Sequence, residues 1–363
     1  MKRRLMIVLA LVIAFTMVLA ACGGGGSGGG GGGNAPATAS DDVKEFIANV
    51  TLGEPVSPNW KRIFDSLDVS NGGPFDVTVY WSGSLIPIPE IPKGLGSGAA
   101  TFSNVPSPNY PDVLPLNCRI LNLPFIGLQD PVGSAEIYMQ LLDEFPEMKA
   151  EMATFGIYPL GATTLGVYGL HFVDQKPVRL PQDMSGRQIV PYNTVFLPVF
   201  EEYNAAGTYI PPGQIYEALE KGVVDGYINN WAFQGWFALT DLMRQHVDFG
   251  TDGAFHEWNI LCVNLDFWNS LTPELQKLLE DTYRYNGGYK DLWSDTANMV
   301  EDEMNKAREK GDLMEVLTDE EIQVWKDKLE PLIQPELDDI AKVAGDVAYD
   351  IYDRALELIA EKW

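Results

Sequence analysis

From about residue 41 onward, short apolar runs alternate with amphipathic helical stretches, the pattern of sheets layered between helices, and this predicts an α/β fold. Residues 75–81 alternate with period two between Gly72-Gly73-Pro74 and Ser82-Gly83-Ser84, which predicts a strand. Residues 99–105, 188–190, 223–228 and 260–264 read as further strands, and 214–221 as a helix stopped by Gly222. Thr272-Pro273-Glu274 combines an N-cap, a first-turn proline and an acid at the positive helix end, so a helix starts there. Another begins near Thr318-Asp-Glu-Glu321, and from Trp325 to Ile359 apolar residues recur at three- and four-residue spacing. Pro331 and Pro335 are expected to break or kink this stretch, leaving a terminal helix over about 335–361. Such a helix is about 40 Å long at 1.5 Å per residue, enough to brace two lobes.

The first forty residues follow a different rule. Lys2, Arg3 and Arg4 precede an uncharged apolar run from 5 to 21, shorter than the roughly 20 fully apolar residues of a spanning helix, which reads as an export signal. It ends in Leu19-Ala20-Ala21-Cys22, which resembles the lipobox of bacterial lipoproteins; the resemblance implies cleavage before Cys22 and a lipid on its sulfur. A plain secretory signal, with Cys22 an incidental thiol, is the alternative. Residues 23–33 are glycine interrupted by Ser27, and with 34–40 they bury nothing that offsets their ordering entropy. They form a flexible tether holding the folded part on the order of 25 Å from a bilayer.

At 363 residues with 46% hydrophobic and 11% aromatic content, the chain can fill the cores of two domains. Its 51 acidic and 25 basic residues give a net charge of −26, a field that repels nucleic-acid phosphates and anionic lipid. Nucleic-acid binding is thereby excluded. Catalytic and cofactor motifs are missing too. Gly94-Leu95-Gly96-Ser97-Gly98-Ala99 fits a dinucleotide fingerprint in form but follows a three-proline run instead of a strand, no G-x-S-x-G occurs outside the glycine run around Ser27, and no H-E-x-x-H or EF-hand loop occurs. His171, His246 and His256 stand in three separate segments, so a shared metal would depend wholly on the fold. Cys118 and Cys262 are expected as buried free thiols. Aromatic residues gather at two strand ends, Tyr80 with Trp81 and Trp231 with Phe233, Trp236 and Phe237, where open α/β sheets place ligands.

The stretch from Lys176 through Asp183, Gly186 and Pro191, and then from Ile210-Pro-Pro-Gly through Gly222 to Asp225-Gly226, resembles the DctP-type solute-binding subunits of TRAP transporters. Leu123-Pro124-Phe125, Tyr80-Trp-Ser-Gly-Ser-Leu85 and residues 264–276 extend the resemblance over everything after residue 41. It implies a two-lobed α/β clamshell like the periplasmic binding proteins, crossed by a long helix, with no cofactor. Such a monomeric receptor, lipid-anchored on the periplasmic or outer side of the membrane, would trap a small organic solute and hand it to permease subunits. The expected division is a signal at 1–21, a tether at 22–40, a first lobe of 41–167 plus 256–295 and a second of 168–255 plus 296–363, hinged near Tyr168 and near Phe255 and His256.

By position, the family's pocket falls on Asn104, on Leu170 or His171, on Val190 and on Asn229. Val190 stands where the family usually carries an arginine that grips a carboxylate; Arg187 would face the other side of the strand, and Gln188 shares Val190's face. A second family arginine, near Leu170 or His171, is also missing. A carboxylate closed in a cleft without a counter-charge is costly. The expected solute is therefore neutral or largely apolar, stacked on Trp231 and Trp81 and oriented by Asn104, Asn229 and His171. An acid held by Arg119, Arg179 or Arg187 is the close competitor, and a cation held by aromatic faces the third. A receptor presenting its solute to a sensor kinase and an enzyme are the other classes of function, the latter with no residues to nominate.

Overall fold

The computed structural model describes residues 43–191, 194–250 and 253–363; the export signal, Cys22 and the glycine tether lie outside the described residues. In chain order the strands are β1 (Lys44–Asn49), β2 (Phe75–Tyr80), β3 (Phe102–Pro106), β4 (Ile157–Val167), β5 (Gly169–Phe172), β6 (Gln188–Pro191), β7 (Ala206–Gly207), β8 (Gly226–Asn229), β9 (Gln245–Asp248), β10 (His256–Asn264) and β11 (Leu313–Val316). They form two sheets, ordered β2-β1-β3-β10-β4 and β11-β9-β5-β8-β6-β7. β2 is an outer strand with one wet face, so its sequence alternates. β10 is buried along its whole length and so shows no such alternation, its apolar residues being interrupted by His256, Glu257, Asn259 and Asn264.

Tyr168 alone separates β4 from β5, so one extended stretch leaves the first sheet and enters the second. Its N–H donates to Phe255 O at 3.0 Å, beside the point where the chain returns into β10.

The helices that matter for the site are α1 (Pro58–Leu67), α2 (Pro131–Glu144), α3 (Trp231–Trp236), α4 (Pro273–Glu280), α5 (Gly288–Lys310), α6 (Asp319–Leu329), α7 (Ile333–Ala344) and α8 (Val347–Lys362). Thr272 caps α4 by accepting from Leu275 N–H, and Thr318 with Glu321 closes a reciprocal capping box on α6. The bracing helix is α5, not the terminal segment. Near its start Asp295 accepts from Asn59 N–H at 2.9 Å and Nδ2 at 2.8 Å on α1. Its later turns lie on α3, where a Cβ on Gly235 would stand 2.9 Å from the Met299 side chain, so any larger residue would have to push that side chain aside. At 23 residues α5 is about 35 Å long.

The terminal stretch differs from the sequence expectation in two ways. Pro331 falls in a 3₁₀ turn that ends α6, but Pro335 sits in the first turn of α7, where a missing N–H costs nothing. The break comes instead at Gly345, whose φ of 86° divides α7 from α8. Both helices bury Leu337, Ile340, Ile351 and Ala355 in one core with Ile120 and Tyr138 of the first lobe, whereas Trp325 and Leu329 of α6 fill the core of the second. The assignment of all of 296–363 to the second lobe is thus corrected for α7 and α8: their apolar faces match the first lobe, and the chain crosses back near residue 331.

Candidate functional site: a two-chambered cleft between the sheets

Where the two sheets meet lie two adjoining cavities that share Pro108, Asn109 and Tyr168. The inner chamber, about 80 Å³, is walled by Leu52, Ile88, Pro106 and Leu165 on the first-lobe side and by Phe233, Trp236 and Phe237 on the second. Asn229, Thr51 and Glu257 supply its polar atoms. The outer chamber, about 300 Å³, is lined among others by Asp112, Arg119, Thr194, Tyr209, His256 and Glu336. Each chamber draws residues from both lobes, so both are interlobe spaces.

Of the residues expected from sequence, Asn229 lines the inner chamber. It ends β8; its Oδ1 accepts from Asn230 N–H at 2.7 Å, and its Nδ2 makes no hydrogen bond to a described residue. Asn104 sits one layer behind. Fully buried on β3, it accepts from Thr51 N–H at 2.9 Å and donates to Thr51 Oγ1 at 2.6 Å and Asn259 Oδ1 at 2.8 Å. It positions Thr51 and has little left for a solute. Leu170 and Val190 are wholly buried, Leu170 in the second-lobe core and Val190 in the apolar cluster that backs Phe233.

His171, Trp231 and Trp81 do not reach the cleft. His171 Nδ1 stands 2.8 Å from His246 Nδ1, its Nε2 is 3.1 Å from Asn229 O, and His246 Nε2 is 3.2 Å from Asp312 Oδ2. The Asn229 carbonyl and the Asp312 carboxylate stand at the two ends, and Gln234 Nε2 lies 3.3 and 3.4 Å from the two Nδ1 atoms. Burial, then His246, lowers the His171 pKa well below its usual value; burial, then Lys310, takes His246 to about 3. Both rings are therefore neutral. Trp231 covers this cluster, its ring centroid 4.3 Å from that of His246 and 5.1 Å from that of His171. Trp81 follows the outermost strand of the first sheet and packs edge-on against Phe64 of α1, beside a groove on the outer face, because the crossing strands lie at the sheet's opposite side. His256 is separate from the pair, its Nε2–H donating to Leu128 O at 2.8 Å, and no group of three or more metal-ligating side chains is found among the described residues. Cys118 and Cys262 are buried free thiols.

The three competing cations are all engaged with acids. Arg187 pairs with Asp174 and lies over the Phe172 ring; Arg179 pairs with Glu315 and Glu321; Arg119 reaches the outer chamber already bridged to Glu336 and Asp339.

Sequence reading missed Glu257. This carboxyl, 6% exposed, lies on β10 at the crossing and lines the inner chamber. Its Oε2 accepts from Asn230 Nδ2 at 2.9 Å and from Tyr168 OH at 3.2 Å; Asn230 meanwhile caps α3 by accepting from Phe233 N–H at 3.0 Å. Burial pushes the Glu257 pKa up to about 8, against the lowering effect of those two bonds. The available signal was the one acid in the 256–264 stretch, since a lone charge is rarely buried without a task.

Two α/β lobes are joined by strand crossings and a bracing helix, with a cleft at their junction, and no catalytic constellation lines that cleft among the described residues. The chain belongs to the DctP family, bacterial extracellular solute-binding proteins of family 7, which it matches over residues 53–338. It is 23% identical over 301 residues to the ectoine-binding periplasmic protein TeaA of Halomonas elongata, covering 80% of this chain and 84% of that one. In fold it is similar to a TRAP solute-binding protein of Rhodoferax ferrireducens in complex with copurified benzoate, with a TM-score of 0.75, 17% identity and coverage of 88% and 98%. A TRAP periplasmic solute-binding protein of Chromohalobacter salexigens with bound D-glucuronate gives 0.72, 20% identity and coverage of 85% and 100%. The chain is a receptor for small organic solutes and not an enzyme. No helix among the described residues is long and apolar enough to cross a membrane.

Proposed function

We propose that this receptor captures a small, non-anionic organic solute with an aromatic or apolar body and delivers it to the membrane subunits of a TRAP-type permease. The observation that carries the reading is the inner chamber, walled by Phe233, Trp236, Phe237 and Tyr168, with no lysine or arginine among its described lining residues. A carboxylate closed in there would lack a counter-charge and would face Glu257. The ligands named for the relatives, ectoine, benzoate and D-glucuronate, differ in chemistry, so the lining of this chain's own cleft decides. Asn229 orients the solute; Asn104, His171, Leu170, Val190 and Trp231 act from behind the wall. Lobe closure about Tyr168 and the 255–256 crossing traps the solute by contacts made to both sides. Cys22 carries a lipid, and residues 22–40 tether the receptor to the outer face of the membrane.

Thermal-shift screening against succinate, malate and uncharged aromatic compounds tests this. Stabilisation by the uncharged set is expected; strong stabilisation by the diacids with none by the uncharged compounds overturns it.

A further inference from the structure

Resting on that reading, we propose that Glu257 sets the specificity of the cleft: the solute presents a protonatable nitrogen, an amidinium or ammonium, to Glu257 Oε1 while its apolar body lies on Phe233 and Trp236. Both hydrogen bonds that the carboxyl accepts from the protein end on Oε2, and Oε1 takes none from a described residue. The rest of the chamber's described lining is uncharged, so Oε1 is the strongest acceptor it offers a guest. The groups that face Glu257 are the Tyr168 hydroxyl from the β4–β5 junction and the Asn229 and Asn230 amides from the β8 side. None of them is charged.

Backbone geometry supports the same role. His256 pairs with Val167 and Trp258 with Thr164, so Glu257 faces two residues of β4, Leu165 and Gly166. The extra residue is a bulge made possible by Gly166 at φ 97°, and a bulge of this kind re-aims the side chain opposite it. Here it sends Leu165 and Glu257 to the same cavity.

An ionised carboxyl in this setting is costly, and burial keeps it protonated in the empty receptor below about pH 8. A cationic nitrogen supplies the missing counter-charge and gains from the aromatic faces beside it. Binding then releases one proton from the Glu257 carboxyl to bulk water and leaves a carboxylate–cation pair. A neutral guest leaves the proton in place.

Benzamidinium, benzamide and benzoate share one ring and differ in the head group, and titration calorimetry at pH 7 in two buffers of different ionisation enthalpy separates the cases. Benzamidinium is expected to bind about tenfold tighter than benzamide, with benzoate weakest, and to release roughly one proton per site occupied. In the isosteric Glu257→Gln variant the proton release and the preference for benzamidinium over benzamide disappear together. Equal binding of benzamidinium and benzamide, or no proton release from the wild type, overturns the role of Glu257 and leaves the non-anionic reading standing. Benzoate as the tightest guest, or no binding of any of the three at millimolar concentration, overturns both. The wild-type proton count needs no variant to fold.

Discussion

Two buried polar clusters lie on either side of Asn229, and they differ in where their bonds end. In the His171–His246–Asp312 chain every ring nitrogen has a protein neighbour, from the Asn229 carbonyl at one end to an ion pair with Lys310 at 3.0 Å at the other. In the Glu257 cluster, Tyr168 and Asn230 occupy one carboxylate oxygen and the other faces the cavity. The first holds β5, β8, β9 and the end of α5 together. The second has an unmet acceptor that a guest can fill. A network closed off from solvent serves the fold, even with Asp312 Oδ1 and Gln234 Oε1 unbonded, and one whose free acceptor belongs to a cavity-lining residue serves binding.

The largest effect expected from testing this contrast comes from Asp312→Ala. The Asp312 side chain is 1% exposed and answers Lys310, His246 and Arg244, so its loss leaves the buried His246 Nε2 and the half-buried Lys310 without their partner and costs about 2 to 3 kcal/mol in urea unfolding. A loss under about 1 kcal/mol would break the account of a closed network.

Next comes pH. The folded Glu257 carboxyl titrates at about 8 and the unfolded one near 4.5, so between these values the folded state binds more protons. Stability contributed by that proton is full below 4.5 and is lost as pH rises through 8. Relative to Glu257→Gln, the ligand-free receptor loses up to about 1.4 kcal/mol per pH unit across the window, read as a difference in Tm. Parallel Tm profiles would show that Glu257 is ordinarily ionised.

Trp236→Ala removes a wall that both readings need, and benzamidinium affinity is expected to fall about tenfold with a modest loss of stability. Smallest of all is Trp81→Ala, which leaves that affinity within about twofold because the ring packs on α1 outside the cleft. A large loss there would return Trp81 to the site.

The two-lobed class was legible because motifs around 176–191 and 210–226 carry it, and β2 because one wet face imposes alternation. β4 and β5 were not, since strands buried on both faces lose the period-two signal. The site was legible at Asn229 and in the aromatic group at 233–237, which a strand end and a capped helix deliver together. Position along a family pattern also nominated His171, and aromatic clustering at strand ends nominated Trp231 and Trp81, but neither signal could say which face of its element each would present. Glu257 escaped because its significance depends on a bulge and on Asn230, twenty-seven residues away in sequence.

The twenty-three-residue span of α5 has a mechanical consequence. A rod clasped in its first half by Asn59 and fitted through Met299 against Gly235 farther along resists shearing, so the gape of the jaws is set by how far it flexes or slips over Gly235. Its compliance then limits how wide the mouth can swing before a guest arrives.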